Sequence, residues 1–204
     1  MNLPAQTDNA IRDLRGVLNS DAMKKQIKMA LPSILPLDRF LRTFFTTVNK
    51  TPDLALCDRD SVMAGVMTAA SLGLEIDPSL GRAYLIPFKD RRKGLVAQFI
   101  IGYKGYIDLF YRSGMAAGLV AEAVYEKDEF EFELGLEPKL VHRPSEDEDR
   151  GRLKFAYAIA FLENGGKVWR VLNRSAVMRA KASSRGAESE YSPWNTSEEQ
   201  MWVK

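Results

Sequence analysis

The chain has 204 residues, 46% hydrophobic and 27% charged, with a formal net charge of +2; it can bury a single core, and it is too nearly neutral for bulk charge to name a partner. One cysteine (Cys57) excludes an intramolecular disulfide framework and fits a reducing compartment, and one histidine beside it argues against a zinc site. No secretory segment opens the sequence and no apolar run nears the ~20 residues of a membrane helix, so the expected place of action is the cytoplasm, away from membranes.

Charge is segregated along the chain. Residues 82–112 carry seven Lys/Arg and two Asp/Glu, 122–149 carry three and eleven, and 150–185 carry nine and one. Such blocks predict patches of opposite sign.

Residues 1–20 are weakly periodic and expected to be loosely held. Asp21–Leu31 places Met23, Ile27 and Ala30 on one helical face, with Lys24, Lys25 and Lys28 elsewhere, and Pro32 and Pro36 stop it. Leu37–Lys50 sets Phe40, Leu41, Phe44, Phe45 and Val48 at helical spacing with Asp38 as its N-terminal cap. A third helix runs from about Asp60 to Leu72, buries Val62, Met63, Val66, Met67 and Ala70, and ends at Gly73 in the left-handed cap position. Small Ala64, Gly65 and Ala69 allow close packing there. Residues 1–72 thus form an N-terminal helical region, either an oligomerisation module or one side of the common core.

Residues 73–204 read as an α+β core of small antiparallel hairpins packed on helices. Arg82–Phe88 and Leu95–Ile101 are β-patterned and joined by Lys89-Asp90-Arg91-Arg92-Lys93-Gly94, a hairpin tip. From Tyr103 the period becomes helical: Tyr103, Tyr106, Ile107, Phe110 and Gly114 share one face, and Lys104, Asp108 and Arg112 are spaced four apart on another. Leu119–Glu126 alternates. Phe130, Phe132 and Leu134 alternate with Glu129, Glu131 and Glu133, which predicts a half-buried strand with an acidic outer face. Leu153–Phe161 turns at Asn164-Gly165-Gly166 into Val168–Leu172. A basic helix begins near Arg174, Ser183–Pro193 reads as loop, and a last helix starts after Asn195-Thr196.

No G-x-x-x-x-G-K-[ST] or G-x-S-x-G occurs, so neither a P-loop ATPase nor that type of serine hydrolase has support. His142 has no evident sequence partner and reads as structural or surface. The acids of 126–149 are open to two readings, a solvated sheet face or the metal ligands of a Mg²⁺-dependent nuclease. Three basic clusters favour a phosphate-tracking groove: Lys89, Arg91, Arg92 and Lys93; then Lys104 with Tyr103 and Tyr106; then Arg174, Arg179, Lys181 and Arg185. Glycines 102 and 105 would let a ligand approach the backbone, lysine would meet phosphate, and tyrosines would stack bases at ~1–3 kcal/mol each. Helical spacing favours the core for at least one of these tyrosines, with Lys104, Asp108 and Arg112 then only a charge ladder on the helix surface. Gly102-Tyr103-Lys104-Gly105 is open to a second reading as the two-glycine clamp of an RNA-binding module. A purely structural assembly subunit is a further alternative.

The residues resemble the RecT family of phage single-strand annealing recombinases. The resemblance lies in Cys57 and Ser61, Leu72-Gly73-Leu74-Glu75, Leu80-Gly81-x-Ala83-Tyr84-Leu85-x-Pro87-Phe88, Gly102-Tyr103-x-Gly105 and Arg112-Ser113-Gly114. It continues through Asp128-Glu129-Phe130, Gly135-Leu136, His142-Arg143-Pro144, Ala156-Tyr157-Ala158, Pro193-Trp194, Glu199, Met201 and Lys204. In order and spacing it covers about residues 20–204. The resemblance implies an annealing-protein core, a non-enzymatic and ATP-independent role in recombination and repair, and binding of single-stranded DNA and of the annealed duplex intermediate. It implies assembly into rings or filaments and work beside a phage exonuclease in the bacterial host cell. No cofactor is implied as required, with Mg²⁺ at most modulating annealing. Lys104 and Arg112 are the leading phosphate contacts, Tyr103 is the leading aromatic contact, and Lys204 joins the set. Family members continue past the position of Lys204, so the chain is expected to be a truncated form lacking the region that recruits the exonuclease.

Overall fold

The computed structural model describes residues 5–184 and 186–204. The chain is α+β and divides into two compact units, Met1–Phe110 and Tyr111–Lys204.

The first unit begins with α1 (Ala5–Asn19), α2 (Asp21–Ala30) and α3 (Leu37–Lys50), followed by a 3₁₀ turn at Pro52–Leu56 and α4 (Arg59–Leu72). Residues 5–19 are not loosely held: α1 buries Ile11, Leu14 and Leu18, a short apolar stripe diluted in sequence by intervening charges. The α3 boundaries are those the periodicity predicts, but Pro36 occupies the cap position and Asp38 lies in the first turn, where its charge faces the positive end of the helix dipole. Asp58 caps α4 by accepting from the Ser61 N–H at 2.9 Å, and Gly73 ends it at φ +63°. Leu18, Ile27, Phe40, Phe44, Val48, Leu54, Val62 and Val66 form the fully buried centre of this unit.

Against those helices lies an antiparallel hairpin, β1 (Ala83–Asp90) and β2 (Gly94–Ile101). Leu85 faces inward, where a Cβ on Gly65 would come within 2.5 Å of its Cδ1, so a side chain on Gly65 would force Leu85 to shift. The outer edge of β2 is tied to α4 by two bonds: Asp58 N–H donates to Leu95 O at 2.7 Å and Ala97 N–H to Ser61 Oγ at 2.8 Å. Upstream of β1, the buried Glu75 carboxylate accepts from Arg39 Nε and Nη2 at 2.8 and 2.9 Å and from Thr43 at 3.2 Å. Thr47 donates to Ile76 O at 2.7 Å. These bonds fix the entry to β1 on α3. Cys57 is buried, and burial, then Asp53 and Asp58, push its thiol up to about 11, so it stays protonated at neutral pH. The helix α5 (Tyr103–Arg112) follows β2 directly.

The second unit is a sheet of β3 (Ala116–Tyr125), β6 (Leu153–Leu162) and β7 (Lys167–Asn173) in the order β3-β6-β7, all antiparallel, plus the hairpin β4 (Glu129–Glu133) and β5 (Lys139–Arg143). It ends in α6 (Arg174–Ser183), α7 (Pro193–Thr196) and α8 (Glu198–Val203). Phe130 of β4 stacks on Tyr157 and lies beside Phe155, 5.7 and 5.3 Å between ring centroids. The expected buried face is only half realised: Phe132 touches Phe155 and Trp169 but stays partly exposed, and Leu134 lies beyond the strand in solvent. The C-terminal segment is core, because Trp194 and Trp202 are buried with Ala123, Leu153, Ala156 and Val177. No helix among the described residues is long and apolar enough to cross a membrane.

Candidate nucleic-acid interface

In the first unit the β1–β2 turn narrows to Arg91-Arg92-Lys93, with Lys89 and Asp90 still in β1 and Gly94, at φ +78°, opening β2. Lys89, Arg91, Arg92 and Lys93 are all exposed. Asp90, the one acid among them, is turned back on the loop, where its Oδ1 accepts from the N–H groups of Arg92 and Lys93, both at 2.8 Å. Those two bonds, the Lys93 one first, hold its carboxyl below the usual range. The turn therefore projects cations. Cross-strand pairing puts Ile86 opposite Gln98 and Tyr84 opposite Ile100 on the face away from α4, and Ile86 and Ile100 remain exposed there. This apolar outer face was not recognised in the sequence; the β alternation that contains it was.

At the start of α5, Tyr103 and Tyr106 are 41% and 61% exposed and Lys104 is exposed. The expectation that one tyrosine is core fails: Gly105 is the buried residue of this helix. A Cβ on Gly102 would lie 2.2 Å from Gly81 O. Gly102 N–H also donates to Arg82 O at 2.9 Å. A Cβ on Gly105 would lie 2.1 Å from Arg82 O, so both glycines of Gly102-Tyr103-Lys104-Gly105 are packed against the chain's own backbone. A Cβ on Gly81 would meet the Tyr84 hydroxyl at 3.3 Å and the Lys104 stem at 3.4 Å. Arg112 ends the same helix.

In the second unit the basic residues of α6 divide by role. Asn173 caps the helix by accepting from the Ala176 N–H at 2.9 Å. Arg174 donates to Leu153 O at 3.0 Å and lies 5.7 Å from the Trp202 ring centre, so it anchors the C-terminal segment. Lys181 donates to Asn195 Oδ1 at 2.9 Å and ties α6 to α7. Arg179 is exposed, bonded to Ser175 one turn back. Arg185 lies outside the described residues. Lys204 follows α8, its Nζ 3.6 Å from Met201 Sδ.

The family model described as "RecT family" matches residues 38–204. Protein RecT of Escherichia coli (strain K12) is 39% identical over 204 residues, covering 98% of this chain and 74% of that protein. The chain belongs to the RecT family. Uncharacterized protein YqaK of Bacillus subtilis (strain 168) is 32% identical over 125 residues, covering 61% of this chain and 41% of that protein. RecT-family proteins are single-strand annealing proteins of DNA recombination.

The match includes the acidic region, where this RecT-family chain has a network that the sequence concealed. Asp128, its side chain fully buried, accepts from Arg150 Nε and Nη2 at 2.9 and 2.6 Å, from Tyr125 N–H at 2.8 Å and from Ser145 N–H at 2.9 Å. His142 Nε2 lies 3.1 Å from Asp128 Oδ2 and its Nδ1 lies 3.2 Å from the Tyr157 hydroxyl. Burial pushes the Asp128 carboxyl up, but Arg150, the two backbone N–H groups and His142 outweigh it and hold the group well below the usual carboxylate range. Arg150 also covers the Tyr125 ring at 4.3 Å. The His142 side chain is buried, and its two partners, 14 and 15 residues away, are brought near only by folding. Of the remaining acids, Glu129 pairs with Arg143, and Asp147 and Asp149 lie near Lys127. Among the described residues no three His, Cys, Asp or Glu side chains converge as metal ligands.

Proposed function

We propose that this chain binds single-stranded DNA and pairs it with its complement without hydrolysing a nucleotide. The observation that carries the reading is the exposed β1–β2 turn, whose Lys89, Arg91, Arg92 and Lys93 stand around an aspartate committed to the loop backbone. Those cations neutralise phosphates while Tyr103 and Tyr106 offer rings to bases. Lys104, Arg112, Arg179 and Lys204 add positive charge on other elements, Arg174 and Lys181 do so while also holding the fold, and Arg185 completes the set. Phosphate contacts carry no sequence information, so the second strand supplies specificity by base pairing. Stacking of ~1.4 kcal/mol per duplex step drives the exchange without ATP or a required cofactor.

In this reading the chain is a binding protein rather than an enzyme. Copies line up along one strand in the bacterial cytoplasm. An exonuclease that strips one strand of a duplex is the class of enzyme that would supply the substrate. The test is annealing of two complementary oligonucleotides with no nucleotide present, comparing the chain with Arg91→Ala/Arg92→Ala/Lys93→Ala and with Lys104→Ala/Arg112→Ala. Both variants should be slower; equal rates in all three proteins would overturn the reading. Competition between ribo- and deoxyribo-oligonucleotides distinguishes an RNA-binding module.

A further inference from the structure

The tip of the β4–β5 hairpin, residues 134–138, exposes the wrong chemistry for a solvated turn. Leu134 is 77% exposed and Leu136 fully so, on either side of Gly135 at φ +147°. Turns favour polar residues, and apolar side chains held out in solvent at a projecting tip mark a contact. The rim is acidic. Glu129, Glu131 and Glu133 alternate along β4 and Glu137 lies in the tip, against Arg143 and Lys139 on β5. Arg143 pairs with Glu129 and Lys139 stands opposite Glu133, whereas the cross-strand neighbour of Glu131 is Val141. Glu131 and Glu137 are therefore the acids without a base across the hairpin.

A surface of opposite character lies on α2. Its inward residue is Ile27, fully buried. At 100° per residue the opposite face carries Ala22, Lys25 and Met29, with Lys28 beside them. Met29 is 79% exposed, and Ile34, in the turn that leaves the helix, is 65% exposed. Lys24, Lys25 and Lys28 face a single acid on this helix, Asp21. Both surfaces thus pair two exposed apolar side chains with a charge excess, and the excesses have opposite sign.

We infer that the 134–138 tip of one copy docks on the α2 surface of a second copy, Leu134 and Leu136 against Met29 and Ile34, with Glu131 and Glu137 towards Lys25 and Lys28. The inference deepens the proposed array of copies and rests on it. Made once per pair, the contact leaves one tip and one α2 surface open and propagates head-to-tail into a ring or an open filament; made reciprocally, it would close a two-fold dimer, and sedimentation of the parent chain beyond a dimer distinguishes the two. The contact forms between free copies, and neighbours held on one strand strengthen it further by making it effectively intramolecular.

Sedimentation velocity of the DNA-free full chain tests this with two surface variants, Leu134→Asp/Leu136→Asp and Met29→Asp/Ile34→Asp. Each should raise the concentration for half-assembly about tenfold or more. Mixed together, they should form a heterodimer and nothing longer, because one intact tip meets one intact α2 surface. Charge variants guard against misfolding: Glu131→Lys/Glu137→Lys and Lys25→Glu/Lys28→Glu should each weaken assembly and together restore it. Wild-type-like assembly by either aspartate variant, a mixture without heterodimers, or no rescue by the combined reversal would overturn the inference. So would a chain that stays monomeric, and the annealing assay, run on the same samples, reports separately on the proposed function.

Discussion

A Cβ on Gly105 would lie 2.1 Å from the carbonyl oxygen of Arg82. No side-chain rotation relieves such a contact, since the obstacle is backbone. The first turn of α5 must move if Gly105 gains a methyl group, and Tyr103, Lys104 and Tyr106 move with it. Gly105→Ala should lower the melting temperature by the equivalent of ~1–3 kcal/mol, despite the helix propensity alanine adds. Annealing should fall further than in Gly16→Ala, a helical position of α1 where the new Cβ meets nothing within 4 Å.

The β1–β2 turn is separable from stability. Arg91→Ala/Arg92→Ala/Lys93→Ala removes exposed side chains and should leave the melting temperature within about a degree. Affinity for an unstructured oligonucleotide should drop equally for all sequences. The slope of log affinity against log salt should shrink by about 2, at ~0.7 per phosphate contact on single strands.

Tyr106 tests stacking. Because it is 61% exposed, Tyr106→Ala should barely alter folding but should weaken oligonucleotide binding by ~1–3 kcal/mol. Tyr106→Phe keeps the ring and should bind like the parent chain in a fluorescence anisotropy titration.

Asp128 sets a pH limit on the second unit. Its carboxyl titrates lower folded than unfolded, so the folded state binds the proton less readily. The stabilisation is complete above the unfolded value of about 3.9 and is lost as pH falls below it towards the folded value. Asp128→Asn leaves the part-buried Arg150 without its counter-charge and should cost ~3 kcal/mol at neutral pH. Thermal melts should show that gap narrowing below about pH 4, while a constant gap would assign the loss to packing alone.

Lys181 and Arg179 should part company. Lys181→Ala breaks the bond to Asn195 and should destabilise by ~1 kcal/mol. Arg179→Ala should affect DNA affinity and leave stability unchanged. Thermal melts and anisotropy titrations on the two variants separate these outcomes.

Sequence by itself determined the local architecture and the family. Period and stop signals placed α2, α3 and α4 to within a residue or so, Gly73 ended α4 as expected, and Asn164-Gly165-Gly166 marked the β6–β7 turn. The family was legible because ordered short blocks survive along almost the whole chain. Tertiary structure alone decided which faces are covered. Periodicity says that Tyr103 and Tyr106 share a helical face, not that the face is left open. It says that Trp194 and Trp202 are apolar, not that they fill the space beside β3 and β6. The partners of His142, of Arg174 and of the two glycines are likewise distant in sequence, since hydrogen bonds and close backbone contacts depend on ångström distances that spacing does not encode. Gly105 shows the difference most sharply: its sequence context suggested room for a ligand, and that space is occupied by the carbonyl of Arg82.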